Sequence, residues 1–517
     1  MRTTTLPQAS PLLVLFLTSL LLTACDGSET ETDSAGTVDP VINDSSTSAS
    51  PGIISDENDS DDTDSQQADN SYFYFSYDDS ASTASRDLSF FYLEQGLLPQ
   101  SSWGRPYEFL NAESFGSFNS QTVGPFEISM SALPASASEL MLDSTAENYL
   151  AVGIDVQGPQ LSQAERKNLV LTLLVDTSGS MQSAFYGGFY ETIDGVSTRL
   201  DLLQYGLDQL RFALKPGDVV NLVEFNTSAS VVLENWLYSQ QSTSADLDTA
   251  ELADYFEQLS TNGSTNLDAG VQLAYDVALQ YYDADKANRV VIMTDAYANT
   301  GETDTSVIAN NILINDMEGI YFSGIGIGSG FDEDFLNELT DAGKGSYSAM
   351  VTPADATRLF GDDFMRFVDV AVHDVLFKLD YPDNWQHVAS AAEERSTEAS
   401  DIQTINYAYN SEQFFFEAFS TDSNLADSAE VTLQISWTDD AGISQQDSLT
   451  LDLASMQAQG LSETRAAAAV TALANLIAGS ISCDQVQDSG LLLLTDEHPT
   501  LQNYQDAIEQ FCLISQQ

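Results

Sequence analysis

Three segments of this chain carry oxygen-bearing side chains where backbone elements meet. In "LVLTLLVDTSGSM", Leu169 to Met181, an uncharged run ends in Asp176, and Ser178 and Ser180 follow. "NGSTNLDAG" supplies Thr265 just ahead of a helical pattern, and "VVIMTDAYAN" supplies Asp295 at the end of another apolar run. Together they offer two carboxylates and three hydroxyls. An all-oxygen set of this kind suits a hard cation, Mg²⁺ or Ca²⁺. Such ions take about six or more ligands, so water or a partner's carboxylate must complete the shell. Spacing alone is weak evidence, because Asp-x-Ser-x-Ser recurs at Asp44, Ser46, Ser48 and at Asp78, Ser80, Ser82. The distinguishing feature of Asp176 is the hydrophobic strand that delivers it.

The elements around these residues predict a doubly wound, mainly parallel α/β domain over residues 165–372. Its strands are almost wholly apolar: "LVLTLLV", "VVNLVEF", "VVIM" and "IYFSGIGIG". Strands buried on both faces read this way. Helical stretches alternate with them at Arg199–Leu214, Asp246–Leu259, Leu267–Tyr282, Thr305–Met317, Asp334–Ala342 and Pro353–Val372. In open α/β sheets ligands bind beyond the carboxyl ends of the strands, where Asp176 and Asp295 are expected.

The flanks differ. Residues 71–164 and 373–456 show period-two alternation, as in Phe126, Ile128, Met130 and in Val431, Leu433, Ile435, Trp437. This predicts antiparallel sheets with one buried face. A β-sandwich built from both flanks, with the α/β domain inserted, is the preferred architecture, and separate β modules are the alternative. Residues 457–517 form a helical tail, with helices expected over Ser462–Gly479 and Asn503–Ser515.

"DTSGSM", the threonine of "GSTN" and the aspartate of "MTDA" resemble the metal-ion-dependent adhesion site of the von Willebrand factor type A (VWA) family. Asp176, Ser178, Ser180, Thr265 and Asp295 each match a position of that motif. The family usually has glycine after the last aspartate, where this chain has Ala296. "YFYFSYDDSASTASRDLSFFYLEQGLLP" and "YLAVGIDVQGPQLSQAERKNLVLTLLVD" are similar to the flanking region of bacterial VWA lipoproteins. The resemblance implies a divalent cation and a protein ligand whose carboxylate completes its shell. The segment "QSAFYGGFYETIDGVST", Gln182 to Thr198, carries Phe185, Tyr186, Phe189 and Tyr190 and is the candidate partner-binding loop.

Composition narrows the function classes. The 517 residues hold 79 Asp and Glu against 16 Lys and Arg, a formal charge of −63. That excludes nucleic acid as a partner and disfavours anionic lipid headgroups. Residues 1–25 read as a signal peptide, and "LLTAC" resembles a bacterial lipobox in which Cys25 takes a lipid. Residues 26–70 read as a disordered acidic tether. Within it "DENDSDDTDS" has Asp61 and Gln67 where a calcium loop needs Gly and Glu, which rejects an EF-hand. Cys483 and Cys512 are expected to form a disulfide in an oxidising compartment, the alternative being two buried thiols. No Gly-x-Ser-x-Gly elbow or Walker loop is present, and His373, His387 and His498 lie outside the α/β domain. The expectation is a non-enzymatic protein of the bacterial cell envelope. It is lipid-anchored to a membrane, facing the periplasm or the surface, and binds a protein partner through the cation. The alternatives are a regulatory or assembly subunit of a membrane complex, or a metal-dependent hydrolase.

Overall fold

The computed structural model describes residues 70–517, apart from 78–81, 144, 186–194, 242–243, 296–297, 317–318, 440, 496–497 and 517. Residues 1–69, and with them Cys25, the signal peptide and the tether, lie outside the described residues.

The centre is a six-stranded sheet of β1 (Leu169–Asp176), β2 (Val219–Phe225), β3 (Ala229–Leu237), β4 (Ala287–Thr294), β5 (Tyr321–Ile327) and β6 (Tyr347–Met350), in the order β6-β5-β4-β1-β2-β3. All neighbours are parallel except the β2–β3 hairpin. All eight residues of β1 are buried, as a strand covered on both faces requires. Its side chains alternate between two cores. Leu171, Leu173 and Val175 meet Leu203, Leu207 and Leu210 of α1 (Arg199–Ala213). Leu174 joins the opposite core with Leu267, Val271 and Tyr275 of α2 (Leu267–Gln280). Two more helices, α3 (Thr305–Asp316) and α4 (Glu333–Ala342), cover β4 and β5 on that side.

Two expected helices are broken. Asp246–Leu259 forms two short helices, Ala245–Asp248 and Ala250–Glu257, because Thr249 leaves helical geometry and turns its hydroxyl to the Ala245 carbonyl at 2.7 Å. Pro353–Val372 divides into Pro353–Leu359 and Phe364–Val368. Asp369 is already extended, and a 13-residue strand starts at Val370. The alternating burial of Val375, Phe377, Leu379 and Tyr381 explains the switch in period. A boundary at residue 372 therefore falls inside this strand.

The flanks form one sandwich. One sheet takes Asn70–Ser76 from before the α/β domain and Val370–Pro382, Glu394–Ser396, Ile405–Ala408, Glu430–Thr438 and Ser444–Asp452 from after it. The other takes Gln121–Val123, Phe126–Ala135 and Asn148–Gln157 from before and Gln386–Ser390 and Glu412–Thr421 from after. Aromatic rings join the faces: Phe415 lies 4.9 Å from both Phe75 and Phe377, and Tyr381 lies 4.9 Å from Phe419. Since each sheet draws strands from both flanks, separate β modules are excluded. The N-terminal flank is also less β-rich than its alternation suggests. It contains helices Ala84–Glu94 and Pro106–Asn111. The first buries Ser85, Leu88 and Ser89 along one side, a helical spacing that its Phe-Phe-Tyr run obscures.

The tail folds back on the sandwich through helices Leu461–Ala478 and Pro499–Ser515. A β-carbon at Gly104 would stand 2.3 Å from the Ala478 backbone nitrogen, so only glycine permits this approach. Among the described residues, no helix is long and apolar enough to cross a membrane.

A disulfide between Cys483 and Cys512, 29 residues apart, ties helix Cys483–Ser489 to Pro499–Ser515. Closing a loop of that length stabilises by about 3–4 kcal/mol in the chain-entropy model. Urea unfolding of Cys483→Ser should show a loss of this order. A midpoint equal to that of the unsubstituted chain would mean the bridge contributes nothing.

Candidate metal centre

Asp176 ends β1 and Asp295 follows the last residue of β4. These strands are neighbours, and the chain leaves β1 toward β2 on one side and returns to β4 on the other. The carboxyl ends of β1 and β4 therefore flank the topological switch point, the usual ligand crevice of an open α/β sheet.

Local hydrogen bonds fix the first carboxylate. Asp176 is fully buried. Its Oδ1 accepts the Ser178 backbone N–H at 2.7 Å, and its Oδ2 accepts the Thr294 hydroxyl at 2.6 Å. The Ser178 and Ser180 hydroxyls lie 2.9 Å apart. Gly179 N–H donates to the Gly263 carbonyl at 3.0 Å, which brings the "DTSGS" turn onto the "NGST" turn. There Thr265 is buried, with its backbone N–H on the Asn299 side-chain oxygen at 3.0 Å. Asn299 lies four residues beyond Asp295, so it links the loop after β4 to the loop before α2. Main-chain and side-chain bonds thus converge all five residues predicted from sequence around one crevice.

The electrostatics are unbalanced. Burial, and then the nearby Asp295 charge, push the Asp176 carboxyl up to about 6. Asp295 is also fully buried; its Oδ1 has no hydrogen-bond partner, while its Oδ2 pairs with the Arg199 guanidinium. Two buried carboxylates thus face one paired cation. A buried charge without a partner is costly, and an additional cation would remove that cost. Hydroxyls from Ser178, Ser180 and Thr265 are the further donors a hard ion needs. The residues present therefore fit a divalent cation. Among the described residues no group of three or more His, Cys, Asp and Glu could hold a metal, so any ion here depends on hydroxyls as well as the two aspartates.

Arg199 is the site residue that sequence reasoning misses. It is the first residue of α1, after the Thr198 cap whose side chain accepts from Asp201 N–H. A cation there opposes the helix dipole, an effect of about 0.3–1 kcal/mol. An arginine opening a helix is thus a readable sign of a nearby anion. Its Nε packs against Gly328, where φ is +80° and a β-carbon would stand 3.0 Å from the Phe185 carbonyl and 3.2 Å from Nε. Glycine is required at 328 on both counts.

The aromatic segment needs a correction. Phe185 is 1% exposed and packs in the core with Met181, Val196 and Ile327. The Ala184–Thr198 bridge and the Ser329 N–H on the Phe185 carbonyl at 3.1 Å hold it down. Phe185 is a structural anchor and not an exposed contact. Tyr186, Phe189, Tyr190 and Ala296 lie outside the described residues, as do Asp78 and Ser80, whereas Ser82 is buried. The histidines have other occupations. His387 sits between Glu417 and Arg395 at 2.7 Å from each, His373 meets the Tyr321 hydroxyl at 3.2 Å, and His498 lies 3.2 Å from the Phe115 carbonyl.

Comparison with known proteins identifies the central domain. The family profile of the von Willebrand factor type A domain matches residues 171–298, which contain all five site residues. The chain is 26% identical over 302 residues to uncharacterized protein YfbK of Escherichia coli, covering 57% of this chain and 48% of that one. It is 25% identical over 207 residues to uncharacterized protein sll0103 of Synechocystis, covering 40% and 43%. It therefore spans less than half the length of these relatives. Among solved structures it is similar to the von Willebrand factor type A protein from Catenulispora acidiphila, at 14% identity and a TM-score of 0.41, covering 77% of this chain and 97% of that one. With its parallel sheet, its switch-point crevice and the profile matching residues 171–298, the central region of this chain is a von Willebrand factor type A domain.

Proposed function

We propose that Asp176, Ser178, Ser180, Thr265 and Asp295 hold a divalent cation, Mg²⁺ or Ca²⁺, through which the chain binds a protein partner. The observation that carries this reading is the buried, unpartnered Asp295 Oδ1 beside a second buried carboxylate. When bound, the cation supplies a coordination point for an incoming carboxylate. Asp176 is set to meet it directly, since its two hydrogen bonds orient both oxygens. Ser178 and Ser180 present paired hydroxyls, and Thr265 is positioned through Asn299. The five protein donors leave part of the shell to water or to the partner.

In this reading the overall charge favours an ion at the crevice. A chain of formal charge −63 repels an acidic ligand. A cation at the crevice reverses the sign locally and selects for a carboxylate. In this reading the groups at the crevice serve binding and not catalysis, and the three histidines are engaged elsewhere, in the flanks and tail. The segment that carries Tyr186, Phe189 and Tyr190 follows the metal motif in sequence, and in this reading its aromatic side chains choose the partner. Cys25 takes the lipid that anchors the protein in the bacterial envelope.

Two outcomes are expected. In calorimetric titration of the folded chain, Asp176→Ala should abolish saturable Mg²⁺ and Ca²⁺ binding, and with it capture of an envelope partner. Retention of wild-type cation affinity by this variant would contradict the site assignment. Separately, Cys25→Ser should move the protein from the membrane to the soluble fraction of cells labelled with a fatty acid. Label persisting on the variant would refute the anchor.

A further inference from the structure

Arg199 pairs with one of the two carboxylates that the proposed cation needs. Its position is held from several directions. The backbone N–H of Arg199 donates to the Ser183 carbonyl at 3.0 Å, three residues after Ser180. The guanidinium leans on a second support, with Nη2 3.5 Å from the Gly330 carbonyl. Gly328 and Gly330 form the wall beside it; a β-carbon at either would come within 3.4 Å of the guanidine group. Arg199 is mostly buried, and its partner Asp295 is fully so. The guanidinium also sits at the first position of α1, against the positive end of the helix dipole. A cation placed there by a helix N-terminus, and slotted between two glycines, is held by Asp295 and not by its own helix.

We propose that Arg199 is an internal competitor of the divalent cation and sets the affinity of the site. With no ion bound, the guanidinium neutralises Asp295 and leaves Asp176 as the unbalanced charge. An entering divalent cation brings a second positive charge to the same pocket, where low polarity strengthens the repulsion. Arg199 must yield its contact with Asp295, or the ion must bind with that carboxylate already neutralised. Either way the free energy of the ion pair is subtracted from ion binding, since a ligand gains only its differential interaction with the two states. The displaced contact also bears on the neighbouring loop. Asp332 N–H donates to the Asp295 carbonyl at 3.1 Å, and Asp332 caps α4 through Phe335 N–H. The inference rests on the cation reading of the site.

The test uses the full chain, stripped with a chelator and titrated with Mg²⁺ and Ca²⁺ by calorimetry, together with thermal unfolding. Arg199→Gln should bind Mg²⁺ at least tenfold more tightly than the unsubstituted chain. Its unfolding midpoint without metal should be lower, and saturating Mg²⁺ should close that gap. Arg199→Lys covers the case in which the glutamine variant does not fold. Its ammonium cannot fork between Asp295 and the Gly330 carbonyl, so it should bind Mg²⁺ about threefold or more tighter than the arginine form. Equal or weaker ion binding by the folded variants would overturn the competition while leaving the cation site intact. Absence of Mg²⁺ and Ca²⁺ binding in the unsubstituted chain and both variants would remove the cation reading and the competition with it.

Discussion

Two aspartates buried side by side at the switch point of a parallel sheet are the constraint on which the rest of the structure depends. Neither carboxylate reaches solvent, and a single guanidinium lies between this pair and a full charge mismatch. A pair of buried like charges is destabilising unless something opposes it. The surrounding loops are built to tolerate that burden. Thr294 and the Ser178 backbone satisfy Asp176. The Gly179–Gly263 and Asn299–Thr265 bonds lock the loops after β1 and β4 to the loop before α2.

Rigidity at the crevice comes from beneath. β1 is buried along its whole length, so Asp176 cannot shift without moving core residues on both faces. The N-terminal flank adds a second brace to the domain. Arg105, from the N-terminal flank, donates to Glu108 at 3.0 Å, to the Tyr347 hydroxyl at 2.8 Å and to Asp334 at 2.7 Å, and also pairs with Glu333. Tyr347 opens β6, and Glu333 and Asp334 open α4. The same short segment that leaves the crevice at Asp332 is therefore clamped one residue later by the flank. An inserted domain is thus held both at its ends and at this clamp.

Much of this was legible in the sequence, for identifiable reasons. The apolar strands of the central sheet announce burial on both faces, and a carboxylate ending such a strand has few structural explanations. Asp295 became interpretable once its junction was placed at a strand end, and Thr265 once its turn was placed just before a helix. What sequence could not supply was partnership across long separations. Arg199 lies 96 positions from Asp295, and only its odd place at a helix start hints at the pairing. Phe185 illustrates the opposite error. An aromatic beside glycines in a long connection reads as exposed, yet a backbone bridge to Thr198 folds it into the core. Helix Ala84–Glu94 was hidden by aromatics that favour strands, and the strand at Val370 by the helical pattern running into it. In both places tertiary packing overrode local preference.

Crystals of the full chain grown with Mn²⁺, which substitutes for Mg²⁺ and scatters anomalously, would test the central claim most directly. An anomalous peak enclosed by the oxygens of Asp176, Ser178, Ser180 and Thr265, with Asp295 beside it, is the expected result. A structure at saturating Mn²⁺ with no peak in the crevice, and with Arg199 still paired to Asp295, would contradict it.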